Sequence, residues 1–188
     1  MNDTIRTILD RRSIRAYRSG QIESEELDLI LEAGRYAPSA MNQQSWHFTV
    51  VRDRELLGRL ESSLRTVFLE SGIEALRKVA ERDDFRVFYN APMLIIVTGD
   101  STALAPSYDC TLAMENMMLA AASLGIGSCW MHAVMMCCAT QKGRKLFNEL
   151  GLVFPENHEP YAAAVFGYRA APLPPPEPRK PDAVTIIG

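Results

Sequence analysis

From Pro106 to Leu124 the chain carries a stretch that is apolar almost all the way round at helical spacing, P-S-Y-D-C-T-L-A-M-E-N-M-M-L-A-A-A-S-L, closed by Gly125. A helix with one polar face can lie on a surface, but one that is apolar on most sides must be covered on most sides. This stretch therefore reads as a central buried helix, with Gly125 as a natural C-terminal cap. The chain has 188 residues, which suits one domain. A domain of that size buries roughly 70% of its unfolded surface, enough to fold without disulfides or a structural metal.

The other elements arrange themselves around that helix. Residues 3–10 read as a short helix with Ile5, Ile8 and Leu9 on one face. A second amphipathic helix runs from about Glu23 to Tyr36, with acidic residues in its first turn and Pro38 beyond its end. Residues 53–83 are charged and helical in pattern, with Gly58 and Gly72 as breaks. A further helix covers 139–150. Strands are expected at His47–Val51, Met93–Val97, Ser128–Met131 and Tyr161–Phe166. The tail from Ala170 to Pro181 is too rich in proline for regular ladder structure. Val184 to Ile187 is strand-like again. An apolar end on an extended arm fits a segment that reaches onto a second subunit, and it equally fits a frayed tail.

Charge and cysteine usage exclude several classes. The formal net charge is −3 and 47% of residues are hydrophobic, so the chain is neither disordered nor a general binder of nucleic acid or anionic membrane. The longest plain apolar run is far short of the about 20 residues that span a bilayer. The first residues show no basic and apolar leader pattern, so a cytoplasmic protein is expected. Cys110, Cys129, Cys137 and Cys138 have no zinc-ligand spacing with one another or with His47, His132 and His158, and read as reduced, buried thiols.

Three segments carry chemistry. Arg11-Arg12-Ser13-Ile14-Arg15-Ala16-Tyr17 places three guanidinium groups and a hydroxyl within five residues of an acidic chain. Arginine stays charged and presents a planar fork that fits phosphate oxygens; on charge alone, a solvated basic turn accounts for the cluster too. Ala37-Pro38-Ser39-Ala40-Met41-Asn42-Gln43-Gln44-Ser45-Trp46 is a loop dense in amides, which suit the edge of a heterocycle or the capping of backbone groups. Gly125-Ile126-Gly127-Ser128-Cys129-Trp130-Met131-His132 lets backbone amides approach a flat ligand. No full G-x-G-x-x-G follows, so a Rossmann dinucleotide site is not supported.

In this order, together with N-A-P-M-L-I-I-V at 90–97, Y-A-A-A-V-F-G-Y-R at 161–169 and P-R-K-P at 178–181, the segments resemble the FMN-dependent nitroreductase family nearly end to end. The resemblance implies an α+β, three-layer fold with a central, mostly antiparallel sheet between helices. It implies one domain over 1–188, whose arm at 170–188 wraps the partner of a homodimer, and FMN at the subunit interface. The helix from about Ser107 to Leu124 would form much of that interface.

By the same resemblance, Arg11, Ser13 and Arg15 hold the FMN phosphate. Arg12 lies beside the ribityl chain, and Arg179 adds a phosphate ligand, with Lys180 a weaker candidate. Pro38, Ser39, Ala40, Asn42 and Gln44 reach the isoalloxazine ring from the partner subunit. Trp130, Met131, His132 and Ala133 lie against its other side, with a backbone N–H, that of His132, toward flavin N5. No side chain acts as catalyst or metal ligand. NAD(P)H gives a hydride to FMN, and a flat electron-poor acceptor, nitroaromatic or quinone, then enters the same cleft. Action on one specific metabolite, or a flavin-binding redox module without turnover, are the alternatives. Two positions depart from the family pattern: Ser45 stands where proline usually precedes the tryptophan, and Asn90 where glycine often precedes Ala-Pro. The segment from about Thr66 to Tyr89 varies with substrate in this family; its Phe68, Phe85, Phe88 and Tyr89 suit a pocket for flat molecules or an ordinary core.

Overall fold

A computed structural model describes residues 1–188. In chain order the elements are α1 (Asp3–Asp10), α2 (Ser24–Arg35), β1 (Trp46–Val51), α3 (Arg54–Glu70), α4 (Glu74–Ala80) and β2 (Met93–Asp100). They continue with α5 (Pro106–Ser123), β3 (Ile126–Trp130), α6 (His132–Cys138), α7 (Gln141–Glu149) and β4 (His158–Tyr168). The four strands form one antiparallel sheet in the order β1-β2-β4-β3.

The alternation of side chains along β2 and β4 sorts the core into two layers. Leu94 and Ile96 of β2, with Ala163 and Val165 of β4, face Leu57, Leu60 and Leu64 of α3, Val134 and Cys137 of α6 and Phe147 of α7. Met93, Ile95 and Val97, with Ala162, Ala164 and Phe166, face Leu27 and Ile30 of α2 and Met114, Met117 and Ala121 of α5. Both faces of the central strands are covered, which is why β2 is a continuous apolar run and not a polar–apolar alternation. The fold is therefore α+β with the expected three layers. No helix is long and apolar enough to cross a membrane.

Helix α5 spends its width inside this chain. Cys110, Ala113, Met114, Met117, Met118 and Ala121 are buried against the sheet and α2, and only an outer edge with Tyr108 and Leu112 stays exposed. Its all-round hydrophobicity, which marked it in the sequence as a central buried helix, is thus largely explained by packing between a sheet and a second helix.

Local chemistry sets the helix ends. Asn2 Oδ1 accepts the Ile5 N–H at 2.9 Å and starts α1, and Asp53 accepts the N–H groups of Glu55 and Leu56 to start α3. Gly72, at φ 71°, ends the helical run after α3. Gly58 does not break α3, because burial of Leu57, Leu60, Leu64 and Phe68 outweighs a glycine penalty of about 1 kcal/mol. The expected strand at Val184–Ile187 does not form: these residues pair with nothing and are exposed. The expected helix at 139–150 starts two residues later, at Gln141, where the Thr140 hydroxyl accepts the Gly143 N–H at 3.0 Å.

Candidate flavin site

The basic segment leaves α1 and runs along the edge strand β3. Ile14 N–H donates to Ser128 O at 2.9 Å, and Ser13 pairs with Ser128 as a parallel bridge. Tyr17 bridges to Arg169 at the end of β4, and its hydroxyl donates to Ile14 O at 2.7 Å. The segment is thereby fixed as an extended ribbon, not a loose turn. Close approach requires Gly127, since a Cβ there would stand 2.9 Å from both Ile14 Cγ1 and Cγ2.

The ribbon spreads its three arginines. Arg11 turns toward α5, with Nε 3.5 Å from Glu115 Oε1. Its Nη1 is buried and has no hydrogen-bond partner. Arg12 folds back on the end of α1, Nη1 donating to Leu9 O and Arg11 O at 2.6 and 2.9 Å, while its Nε is buried and unpartnered. Arg15 lies over the ring of Tyr89, Cζ 5.9 Å from the centroid. Its pKa is held above the ordinary value by the Tyr89 phenol first, then by the Cys129 thiol. Cys129 follows Ser128, the residue that pairs with Ser13; burial pushes its thiol up, and Arg15, Ser13 and Arg11 pull it partly back. A cavity of about 220 Å³ opens here, lined by Arg6, Asp10, Arg11, Arg12, Gly127 and Arg169 among others.

Buried arginine nitrogens without partners are costly. Two of them on a cavity that Gly127 and Ser128 also line make a site that fits an anion such as a phosphate with its several oxygens; of the expected phosphate ligands, Arg11 lines this cavity, and Ser13 and Arg15 do not.

The amide-rich loop sits elsewhere on the same molecule, over the start of α5. Asp109 Oδ1 accepts the Ala40 N–H at 3.1 Å, and Gln43 Oε1 accepts the Leu104 N–H at 2.9 Å. Within the loop, Ser39 Oγ accepts the Gln44 N–H and Asn42 Oδ1 accepts from Gln44 Nε2, both at 3.0 Å. Met41, Asn42 and Gln44 all have positive φ, near 50°. That strained, exposed presentation is what functional loops show. Pro38 precedes the loop and Ser39 opens its 3-10 turn.

Trp130 closes β3, Met131 is buried with its N–H on Ala163 O at 2.7 Å, and exposed His132 and half-buried Ala133 begin α6. These four continue from the strand that carries Ser128 and Cys129, so they share an edge with the arginine ribbon. Arg179 and Lys180 are exposed and lie on the arm, outside any helix or strand. Asp109 and Glu115 were not singled out from sequence, and Tyr89 and Gly127 were read there for other roles, a substrate pocket and a flat ligand, since each acquires the contact seen here only from a partner distant in the chain.

A model of the Nitroreductase family matches residues 8–168, which span the arginine ribbon, the amide loop and all four strands. The chain belongs to this family. It is 38% identical to a nitroreductase with bound FMN from Bacteroides fragilis, with a TM-score of 0.90 and 100% of both chains covered. A second nitroreductase with bound FMN, from Desulfitobacterium hafniense, is 30% identical at a TM-score of 0.85, again with 100% of both chains covered. The chain is also 30% identical over 142 residues to the FMN reductase [NAD(P)H] of Bacillus subtilis, covering 71% of this chain and 55% of that protein. The arginine ribbon and the amide loop are thus parts of a fold whose members have been seen holding FMN.

Proposed function

We propose that this member of the Nitroreductase family is an FMN-dependent NAD(P)H oxidoreductase that reduces flat, electron-poor acceptors such as nitroaromatics and quinones. The buried, unpartnered Arg11 Nη1 carries the reading, because a guanidinium nitrogen without a partner needs an anionic ligand, and the phosphate of FMN would supply one. Arg11 and Ser13 would hold the phosphate, with Arg12 beside the ribityl chain and Arg15 adding positive charge. Bound FMN would supply the redox step, taking a hydride from NAD(P)H and passing it on to the acceptor. Trp130, Met131, His132 and Ala133 would flank the ring, and the N–H groups of His132 and Ala133, ahead of the Val134 N–H that donates to Met131 O, would be free to donate to it.

The working unit would be a homodimer in the cytoplasm. Pro38, Ser39, Ala40, Asn42 and Gln44 lie over the start of α5, while the ribbon contacts its middle and its C-terminal end. The loop would therefore serve the partner's site. Ile5, Ile8 and Leu9 of α1 and Tyr108 and Leu112 of α5 are exposed and apolar, which suits a subunit interface. The arm at 170–188, with Arg179 and the exposed Val184, Ile186 and Ile187, would wrap the second subunit. One cleft serving both substrates gives ping-pong kinetics and needs no separate dinucleotide motif.

The purified protein, reconstituted with FMN, tests this reading. It should be yellow, release FMN on denaturation and oxidise NAD(P)H steadily only when an acceptor is present. A protein that cannot be loaded with FMN would overturn it.

A further inference from the structure

Tyr89 and Asn90 are consecutive residues in the left-handed region, with φ of 54° and 56°. Asparagine tolerates that region through local hydrogen bonding by its short side chain; a tyrosine there is strained. The turn is held by Tyr89 N–H donating to Arg86 O at 3.0 Å and Ala91 N–H donating to Phe88 O at 2.9 Å. It winds the chain from the variable segment into β2 and leaves the Tyr89 ring half-buried against the α3 layer. There the ring stands 5.9 Å from Arg15 Cζ. Within about 6 Å of an aromatic centroid a guanidinium is attracted by the ring quadrupole. Arg11 has a carboxylate to brace it, and Arg15 has this ring.

Backbone strain persists where the surrounding structure holds it, and it gathers at functional sites. We infer that Tyr89 is a positioning residue of the cofactor site: its ring fixes where the Arg15 guanidinium stands and so how the site holds and tunes its flavin. The inference rests on the FMN reading above. It also assigns a part of the variable segment to the cofactor instead of to the substrate.

The strained backbone allows ring and fold to be separated. Tyr89→Gly removes the ring and relieves the strain, Tyr89→Leu removes the π-system but keeps bulk, and Tyr89→Phe keeps the ring without its hydroxyl. Three quantities are measured: the melting temperature of the apoprotein, the FMN dissociation constant by flavin fluorescence, and the midpoint potential of the bound flavin. Tyr89→Phe, which keeps the ring and loses only the phenol hydroxyl that faces Arg15, should stay closer to the wild type than Tyr89→Leu does. Tyr89→Leu and Tyr89→Gly should bind FMN about two- to fivefold more weakly. Both should shift the potential in the direction that Arg15→Gln shifts it, and Tyr89→Gly should melt no lower than the wild type. In an Arg15→Gln background, Tyr89→Leu should have no further effect on binding or potential. Wild-type affinity and potential in Tyr89→Leu, or the same loss with and without Arg15, would overturn the inference while leaving the FMN reading intact. A wild-type protein that takes up no FMN overturns that reading, and the inference with it.

Discussion

The Nε of Arg11 lies 3.5 Å from Oε1 of Glu115, so the arginine with the orphaned, buried Nη1 is braced by helix α5. The side chains are 24% and 49% exposed, and a pair this open is worth at most about 1 kcal/mol. The role of Arg11 must therefore come from what its free nitrogen binds. Arg11→Ala should weaken FMN binding by about 1.5–3 kcal/mol, the worth of a charged hydrogen bond. Glu115→Gln should change unfolding free energy by less than about 1 kcal/mol. Calorimetric titration with FMN and urea unfolding of both variants separate the two; unchanged FMN affinity in Arg11→Ala would return the cluster to a surface role.

Asp109 is buried, and its Oδ1 is the acceptor that fastens Ala40 at the root of the amide loop. Removing it leaves the Ala40 N–H without a partner, at a cost of about 1–3 kcal/mol. Asp109→Ala should lower the melting temperature accordingly and raise proteolysis within residues 38–44. Asp109→Asn, which keeps an acceptor oxygen, should recover part of the loss. A loop that stays resistant to protease in Asp109→Ala would show that Ser39 and Gln43 hold it unaided.

These relationships mark what the sequence could and could not disclose. The helical and strand periods were strong enough to locate α1, α2, α5 and the buried strand β2, because each has a face that must be covered. Helix α6 was missed although Val134, Cys137 and Cys138 recur at helical spacing, since seven residues are too short for a period to stand out. Val184 to Ile187 has strand composition but no neighbour in this chain to pair with, and composition alone cannot supply one. The arginine ribbon was legible as an anion site only through the company of the other motifs. That Arg15 meets Tyr89 was not legible, because the two are far apart in the chain and only the folded strand order brings the ribbon beside β3 near the segment that leads into β2.

Gly127 offers a test of the ribbon that leaves every polar group in place. An alanine there would put its Cβ 2.9 Å from Ile14 Cγ1 and Cγ2 and 3.0 Å from Arg169 Cγ. Arg169 can swing aside, but Ile14 is buried and β-branched, so the ribbon itself must shift. Overpacking of this kind costs about 1–3 kcal/mol. Gly127→Ala should lower stability by that amount and weaken FMN binding, and Gly127→Ala with Ile14→Val should recover part of both. Thermal melts with and without FMN provide the measurement; a variant that melts lower yet binds FMN normally would uncouple the ribbon from the site.

The four thiols predict the alkaline limit of the fold. All are buried and unpaired. Burial pushes Cys110 and Cys138 up to about 12 and Cys137 up to about 11, from an ordinary value of 9.0. A folded-state pKa above the unfolded one means that the unfolded chain loses its thiol protons first as pH rises. The stability these thiols support is therefore fully present below pH 9, and it is lost as pH climbs toward 11 and 12. Unfolding free energy measured in urea should fall steadily above pH 9, and Cys138→Ala should flatten that fall. At pH 7.5 the native protein should resist a thiol alkylating reagent that labels all four cysteines once it is denatured. Rapid labelling of Cys138 in the native state would mean that the α6–α7 layer opens far more readily than its packing implies.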